Sequence, residues 1–183
     1  MRGKRFIVFA GLMLGLSAVA LAKSKRIDDI DQYCIRVQTE TSGSPPLVFS
    51  GPEPWIELDE PPAAYDEDEA MALVYTSGPA VRWVLLRISN TDERWAEDVA
   101  YYFRDDGTIT KRERYVQAPD ANIELDAVTY YAHGNVIKET VHHHALHRGR
   151  QHLSDFNDPD APVYMSVDDL PFPDATALWR RLA

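Results

Sequence analysis

The chain has 183 residues and a net charge of −10, from 19 Lys and Arg against 29 Asp and Glu. This acidic balance argues against nucleic acid as a partner, because duplex binding depends on a basic face that displaces counterions from the phosphates. The length and the 45% hydrophobic content fit one ordinary globular domain. A single cysteine excludes an internal disulfide.

The N-terminus has the layout of a secretory signal peptide. A basic start precedes an apolar run over residues 6–22, and this run ends in Ala-Leu-Ala. That order predicts a signal peptide over residues 1–22, cut after Ala22. We therefore expect a single β-rich globular domain over residues 23–183, located in the periplasm or secreted. An uncleaved membrane anchor is the alternative, and contact with a membrane is expected only in that case.

Residues 32–38 (QYCIRVQ) are rich in aromatic and β-branched side chains, which favours a strand. Cys34 lies within this stretch, between Tyr33 and Ile35. Its neighbours predict a buried and unreactive thiol, and the alternative is a thiol that reacts or pairs with another molecule.

An acidic stretch over residues 53–69 holds eight carboxylates and no basic residue. Pro54, Pro61 and Pro62 interrupt it, which predicts an exposed loop. The simplest interpretation is a solvated acidic surface. The alternative is a docking face for a basic protein partner, which long-range attraction would steer onto it.

From Met71 to His144 the sequence predicts a succession of strands. Asp105-Asp106-Gly107 interrupts this region and predicts a three-residue hairpin loop with Gly107 in the left-handed conformation. Apolar side chains and opposite charges then meet across the strands. The facing pairs are Phe103–Ile109, Tyr102–Thr110, Tyr101–Lys111 and Asp98–Arg114. A two-residue loop would instead place Arg114 opposite Val99.

A second, weaker copy of this hairpin pattern follows. A Tyr-Tyr pair precedes Gly107 and recurs at Tyr130-Tyr131, while Gly-Thr-Ile-Thr-Lys over residues 107–111 recurs as Gly-Asn-Val-Ile-Lys over residues 134–138. The pattern resembles the hairpin repeats of bacterial MORN-type proteins, and we infer no function from this resemblance. Two successive hairpins make a meander.

Together these features predict a mainly β fold, an antiparallel meander of about six to eight strands in one domain. The sequence from Asp174 to Leu182 predicts a short C-terminal helix, with Asp174 as its cap and two arginines near its end. A barrel, a sandwich and an open sheet all remain compatible with the pattern.

All six histidines fall in one stretch near the end of the strand-like region. In a strand, alternation places His142 and His144 on one face and His143 on the other. Two imidazoles on one face can share an ion, so we predict a Zn²⁺ or Cu²⁺ site with His147 or His152 as a further donor. In a helix, His143 and His147 would align instead. The alternatives are weak adventitious binding and a polar patch with no metal, and no other cofactor is indicated.

The sequence has no G-x-S-x-G elbow, P-loop, paired-cysteine motif or H-E-x-x-H. We therefore expect an exported, non-catalytic β-domain that binds a protein partner, as an inhibitor, an immunity-type protein or an envelope accessory factor. The negative charge favours a basic partner. One alternative is a metal-binding protein that uses the His142–His152 stretch. Another is a hydrolase of an envelope polymer, whose paired carboxylates the sequence does not place.

Overall fold

The computed structural model describes residues 6–51, 54–59, 70–90, 95–148, 156, 158 and 162–172, with side chains from residue 23 onward. The described residues form one helix, eight strands and a 3-10 turn. Their bounds are α1 Phe6–Thr41, β1 Leu47–Gly51, β2 Ile56–Leu58, β3 Ala70–Ser77, β4 Ala80–Asn90, β5 Trp95–Phe103, β6 Ile109–Ala118, β7 Ile123–Ala132, β8 Asn135–His144 and the 3-10 turn Val167–Asp169. The predicted mainly β fold is confirmed, because all eight strands join one antiparallel sheet.

The order of strands across the sheet is β2-β1-β3-β4-β5-β6-β7-β8. From β3 onward each strand pairs with the next strand along the chain, which is the predicted meander. Since β2 and β8 stand at the two ends of the order, the described strands form an open sheet. The presence of β2 corrects the expectation of a loop throughout the acidic stretch, of which only residues 54–59 are described.

The predicted strand over residues 32–38 is wrong, because helix α1 includes this stretch. These residues continue the helix, in which Ile30, Cys34, Val37 and Thr41 are buried. Their spacing of three or four positions places them on one helical face, and packing of this face on the sheet outweighs the strand propensity of the local residues. The predicted burial of Cys34 is confirmed. In the part of the chain that the structure describes, no helix is long and apolar enough to cross a membrane.

The hairpin between β5 and β6 begins as predicted. Gly107 has a φ of 78°, and its amide donates a hydrogen bond to the Arg104 carbonyl at 2.9 Å. Glycine adopts this left-handed conformation without the steric cost that a Cβ brings. Phe103 faces Ile109, as the three-residue loop requires.

The remainder of the predicted register in this hairpin is wrong by one residue. A β-bulge follows the first pair and leaves Thr110 without a facing partner. The bulge turns Asp98 and Arg114 to opposite faces of the sheet. The observed pairs are Tyr102–Lys111, Tyr101–Arg112, Val99–Arg114 and Asp98–Tyr115. The β3–β4 and β7–β8 hairpins contain an irregularity at the corresponding place, after Tyr75 and after Tyr130.

One face of the sheet, here called the helix face, is partly covered by α1. Ile30 and Cys34 of the helix pack there with Tyr102 and Tyr130, and Trp83 lies at the border of the same cluster. The described side chains of α1 contact the part of the sheet near the hairpin turns, and none of these contacts covers the rest of the helix face.

The opposite face, here called the strap face, is covered by residues 162–172, which we call the strap. Val167, Leu170 and Phe172 of the strap join the largest apolar cluster among the described residues. The Val167 amide donates to the Gly107 carbonyl at 2.9 Å, which fastens the strap to the β5–β6 hairpin. The predicted C-terminal helix from Asp174 to Leu182 lies outside the described residues.

Candidate binding groove

A row of directly facing side chains crosses six strands of the helix face. From β3 to β8 its members are Tyr75, Trp83, Tyr102, Lys111, Tyr130 and Lys138. The Tyr75 and Trp83 ring centroids are 3.9 Å apart. The Nζ atoms of Lys111 and Lys138 lie 5.3 and 5.7 Å from the Tyr130 ring centroid. The last four members are the tyrosines and lysines of the repeated sequence pattern, so the repeat produces this part of the row.

Helix α1 is held across this row by hydrogen bonds between side chains. The Trp83 indole donates to the Thr41 hydroxyl at 3.0 Å, the Gln38 amide donates to the Tyr102 hydroxyl at 2.6 Å, and the Tyr130 hydroxyl donates to the Asp31 carboxylate at 3.1 Å. The donors and acceptors on the sheet belong to β4, β5 and β7. The helix therefore has a defined position on the sheet as well as an apolar contact with it.

Lys111 is the buried charge at the centre of the row. Its side chain is 11% exposed, and its Nζ lies 2.6 Å from Asp31 Oδ1 and 2.6 Å from Glu113 Oε1. Burial by itself lowers the pKa of Lys111, but hydrogen bonds to the two carboxylates outweigh burial and raise the pKa above its ordinary value. Lys111 is thus a cation on β6 that joins Asp31 of α1 to Glu113 of its own strand. Sequence reasoning missed this site because Asp31 is 80 positions away in the chain.

Beside α1 the helix face carries an open groove, made of two adjoining depressions that share Glu113. The first, of about 350 Å³, lies between α1 and the row and includes Asp31, Ile35 and Tyr130 in its lining. The second, of about 420 Å³, has a lining from β5, β6 and β7, with Asp98 among its side chains. The groove continues from the helix onto the uncovered part of the sheet.

Carboxylates dominate the charge of this groove. Asp31, Asp98, Glu113 and Asp126 line it. Lys111 lies between two of these acids, and Arg87 holds Asp98 through two hydrogen bonds of 2.7 Å. Asp126 lies directly opposite His142, and its side chain is 48% exposed. The arrangement can bind a cationic group that enters from solvent.

The strap face contains a buried ion pair that no feature of the sequence indicated. Glu97 is 1% exposed and contacts the Arg114 guanidinium, which also binds Asp158 at 2.6 Å. Burial raises the pKa of Glu97 above its ordinary value even though Arg114 donates a hydrogen bond to it. Arg114 also borders the groove, because its strand β6 forms part of the lining. Its guanidinium lies on the strap face, where it binds Glu97 and Asp158.

The structure confirms the predicted alternation of the histidines on β8. His142 and His144 face Asp126 and Glu124 on the helix face, and His143 lies on the other face. His147 follows the strand. Its backbone amide donates a hydrogen bond to the Asn122 side chain at 2.8 Å. His152 lies outside the described residues. Among the residues whose placement is described, no three His, Cys, Asp or Glu side chains are grouped to hold a metal ion.

The Cys34 thiol is expected to be unreactive in the folded protein. Burial raises its pKa to about 12, so almost no thiolate is present near neutral pH. We expect 5,5′-dithiobis(2-nitrobenzoate) to label Cys34 at least about 100-fold more slowly than an exposed thiol. A Cys34→Ala/Ile35→Cys variant is the control, because Ile35 is 55% exposed at the next position. Equal labelling rates for the two proteins would contradict the prediction.

The groove offers fixed carboxylates, tyrosines and one neutralised lysine, which suits recognition of a polar, positively charged surface. Comparison with protein-family models, with curated protein sequences and with solved structures finds no match to this chain.

Proposed function

We propose that this chain is an exported, non-catalytic domain that binds a protein partner, and that the groove receives a basic segment of that partner. The observation that carries the proposal is the alignment of four carboxylates along an open groove. Such a surface steers cationic groups toward it and disfavours acidic partners. Tyr115 lines the same groove and supplies the aromatic area that commonly anchors an interface. An inhibitor, an immunity-type protein or an envelope accessory factor would each use such a surface.

The pairing of the groove carboxylates supports a non-catalytic role. Asp98 is held by Arg87, and Glu113 is held by Lys111 and accepts a hydrogen bond from Tyr102 at 3.1 Å. Hydrolysis by a carboxylate pair requires two side chains that are free to reach the scissile bond, whereas ion pairs hold Asp98 and Glu113 in place. The polymer hydrolase therefore has less support than the binding domain.

The proposed export is compatible with the packing of α1. Lys23, Ser24, Lys25 and Arg26 are exposed, and among the described side chains of the helix Ile27 is the first that packs near the sheet. Cleavage after Ala22 would therefore leave every described contact between the helix and the sheet in place. The order of basic, apolar and small residues at the N-terminus supplies the signal itself.

Co-purification from an envelope extract tests the proposed binding function. We expect a protein to be retained by the wild-type chain at low salt and released at about 1 M salt, where the Debye length falls to about 3 Å. Asp126→Lys is expected to reduce retention about tenfold, because it places a cation in the groove.

Asp168→Lys is the matched control, since it makes the same charge change on an exposed position of the strap. This variant is expected to retain the partner as the wild type does. The proposal is wrong if the wild-type chain elutes alone at both salt concentrations. It is equally wrong if both lysine variants lose the partner to the same extent, because net charge rather than the groove would then govern binding.

A further inference from the structure

We propose that His142, His144 and Asp126 form a solvent-facing site for a divalent transition metal of the Zn²⁺ or Cu²⁺ class. The site lies where β7 and β8 meet at the open edge of the helix face. It goes beyond the binding of a protein partner and does not depend on it. Imidazole and carboxylate groups are donors that these ions accept, and three protein donors leave a position open to water.

The backbone brings the three side chains together. His142 and His144 are two positions apart on one strand, so both project from the same face. Asp126 is the residue directly opposite His142 on β7. Facing residues on paired strands have Cβ atoms about 4.5–5.5 Å apart, which is within reach of a shared ion.

The observed separations are close to those that a shared ion requires. Ligand atoms of a tetrahedral Zn²⁺, each at about 2.0–2.1 Å from the metal, are roughly 3.4 Å apart. His144 Nε2 and Asp126 Oδ2 are 3.7 Å apart. Two imidazoles on one such ion have ring centroids roughly 5 Å apart, and the His142 and His144 centroids are 6.3 Å apart.

Small rotations of exposed side chains close the remaining difference. The His144 and Asp126 side chains are 57% and 48% exposed, and His142 is exposed as well. Their rotation displaces no core packing. Within the described ranges no three donor side chains are already grouped around one point. In the proposed site the backbone therefore places the three residues near one another, and metal binding selects the rotamers of their side chains.

This donor set differs from the one that the sequence predicts. The sequence predicts His147 or His152 as the third donor, whereas the proposed site takes Asp126 from the facing strand. The His147 amide and carbonyl both bond to the Asn122 side chain, which ties that residue to the β6–β7 turn. The third donor therefore comes from a strand pairing that local sequence does not reveal.

Calorimetric titration of the untagged full chain with ZnCl₂ and with CuCl₂ tests the proposal. We expect one ion per chain with a Kd below about 10 μM for at least one metal. His142→Ala and His144→Ala are each expected to weaken binding about tenfold or more, and Asp126→Asn several-fold. His143→Ala is the matched control, because it removes a neighbouring imidazole from the opposite face, and its Kd should stay within about twofold of wild type.

Nuclear magnetic resonance of the imidazole nitrogens provides the second readout. Addition of zinc should shift the His142 and His144 signals and leave those of His143 unchanged. The proposal is overturned if no metal binds more tightly than about 10 μM, or if His143→Ala weakens binding as much as His142→Ala does. It is also overturned if His147→Ala or His152→Ala removes binding while the His142 and His144 variants retain it.

Discussion

Replacement of Arg114 by alanine is expected to lower the free energy of unfolding by about 3–5 kcal/mol. The reason is Glu97, which is 1% exposed and loses the guanidinium that neutralises it on the strap face. Asp158, the other carboxylate on Arg114, is half exposed and is solvated when its partner is removed. Urea unfolding at pH 7.5, with the slope checked for two-state behaviour, measures the loss.

The loss is expected to depend on pH in a defined direction. The folded-state pKa of Glu97 is raised, so its contribution to stability is fully present below its unfolded pKa of about 4.3 and is lost as pH rises through the folded pKa. In Arg114→Ala the charged form is further disfavoured. The free energy of unfolding of Arg114→Ala should therefore differ less from that of the wild type at about pH 4 than at pH 7.5.

A double variant separates the buried charge from the loss of packing. Glu97→Leu/Arg114→Met replaces both charges by apolar groups of similar size, and exchanges of this kind are often neutral. We expect it to recover most of the stability that Arg114→Ala loses. If the double variant is as unstable as Arg114→Ala, packing of the arginine stem and not the unpaired carboxylate explains the effect.

Strands and turns could be predicted from the sequence because their signals are local. Gly107 marks the β5–β6 turn, and alternation places His142 and His144 on one face, as the structure confirms. The bulge at Thr110 had no such signal, since the extra residue shows only in how β5 and β6 pair. One unpaired residue was enough to turn Arg114 to the opposite face from Asp98.

The strand predicted over residues 32–38 failed for a different reason. Tyr33, Ile35 and Val37 have high strand propensity, but Ile30, Cys34 and Val37 also have helical spacing. In a stretch of seven residues the two patterns overlap, and only packing on the sheet decides between them.

The candidate sites needed the strand pairing as well as the sequence. The repeat identifies Lys111 and Lys138 as equivalent positions, but it does not show that Asp31 of α1 reaches only the first. In the same way, Asp126 becomes a neighbour of the histidines through the register of β7 and β8. Contacts between residues far apart in the chain, set by register, account for what the sequence alone did not predict.

Lys111→Ala is expected to lower the free energy of unfolding by about 2–3 kcal/mol and to loosen α1 from the sheet. The substitution leaves Asp31 and Glu113 close together without the cation that joins them. Because both carboxylates are partly exposed, the expected loss is smaller than for Arg114→Ala. Urea unfolding measures the stability, and amide hydrogen exchange over residues 27–41 reports the helix, where protection should fall more than in β4 and β5.

Lys138→Ala is the matched control, because Lys138 occupies the equivalent repeat position against the same Tyr130 ring but is exposed on β8. Lys138→Ala should lower the free energy of unfolding by less than about 1 kcal/mol, which is the size of an exposed cation–π contact. A comparable loss of stability in both variants would assign the effect to contact with the tyrosine. Unchanged exchange in α1 with Lys111→Ala would mean that apolar packing alone positions the helix, and that Lys111 does not fasten α1 to the groove.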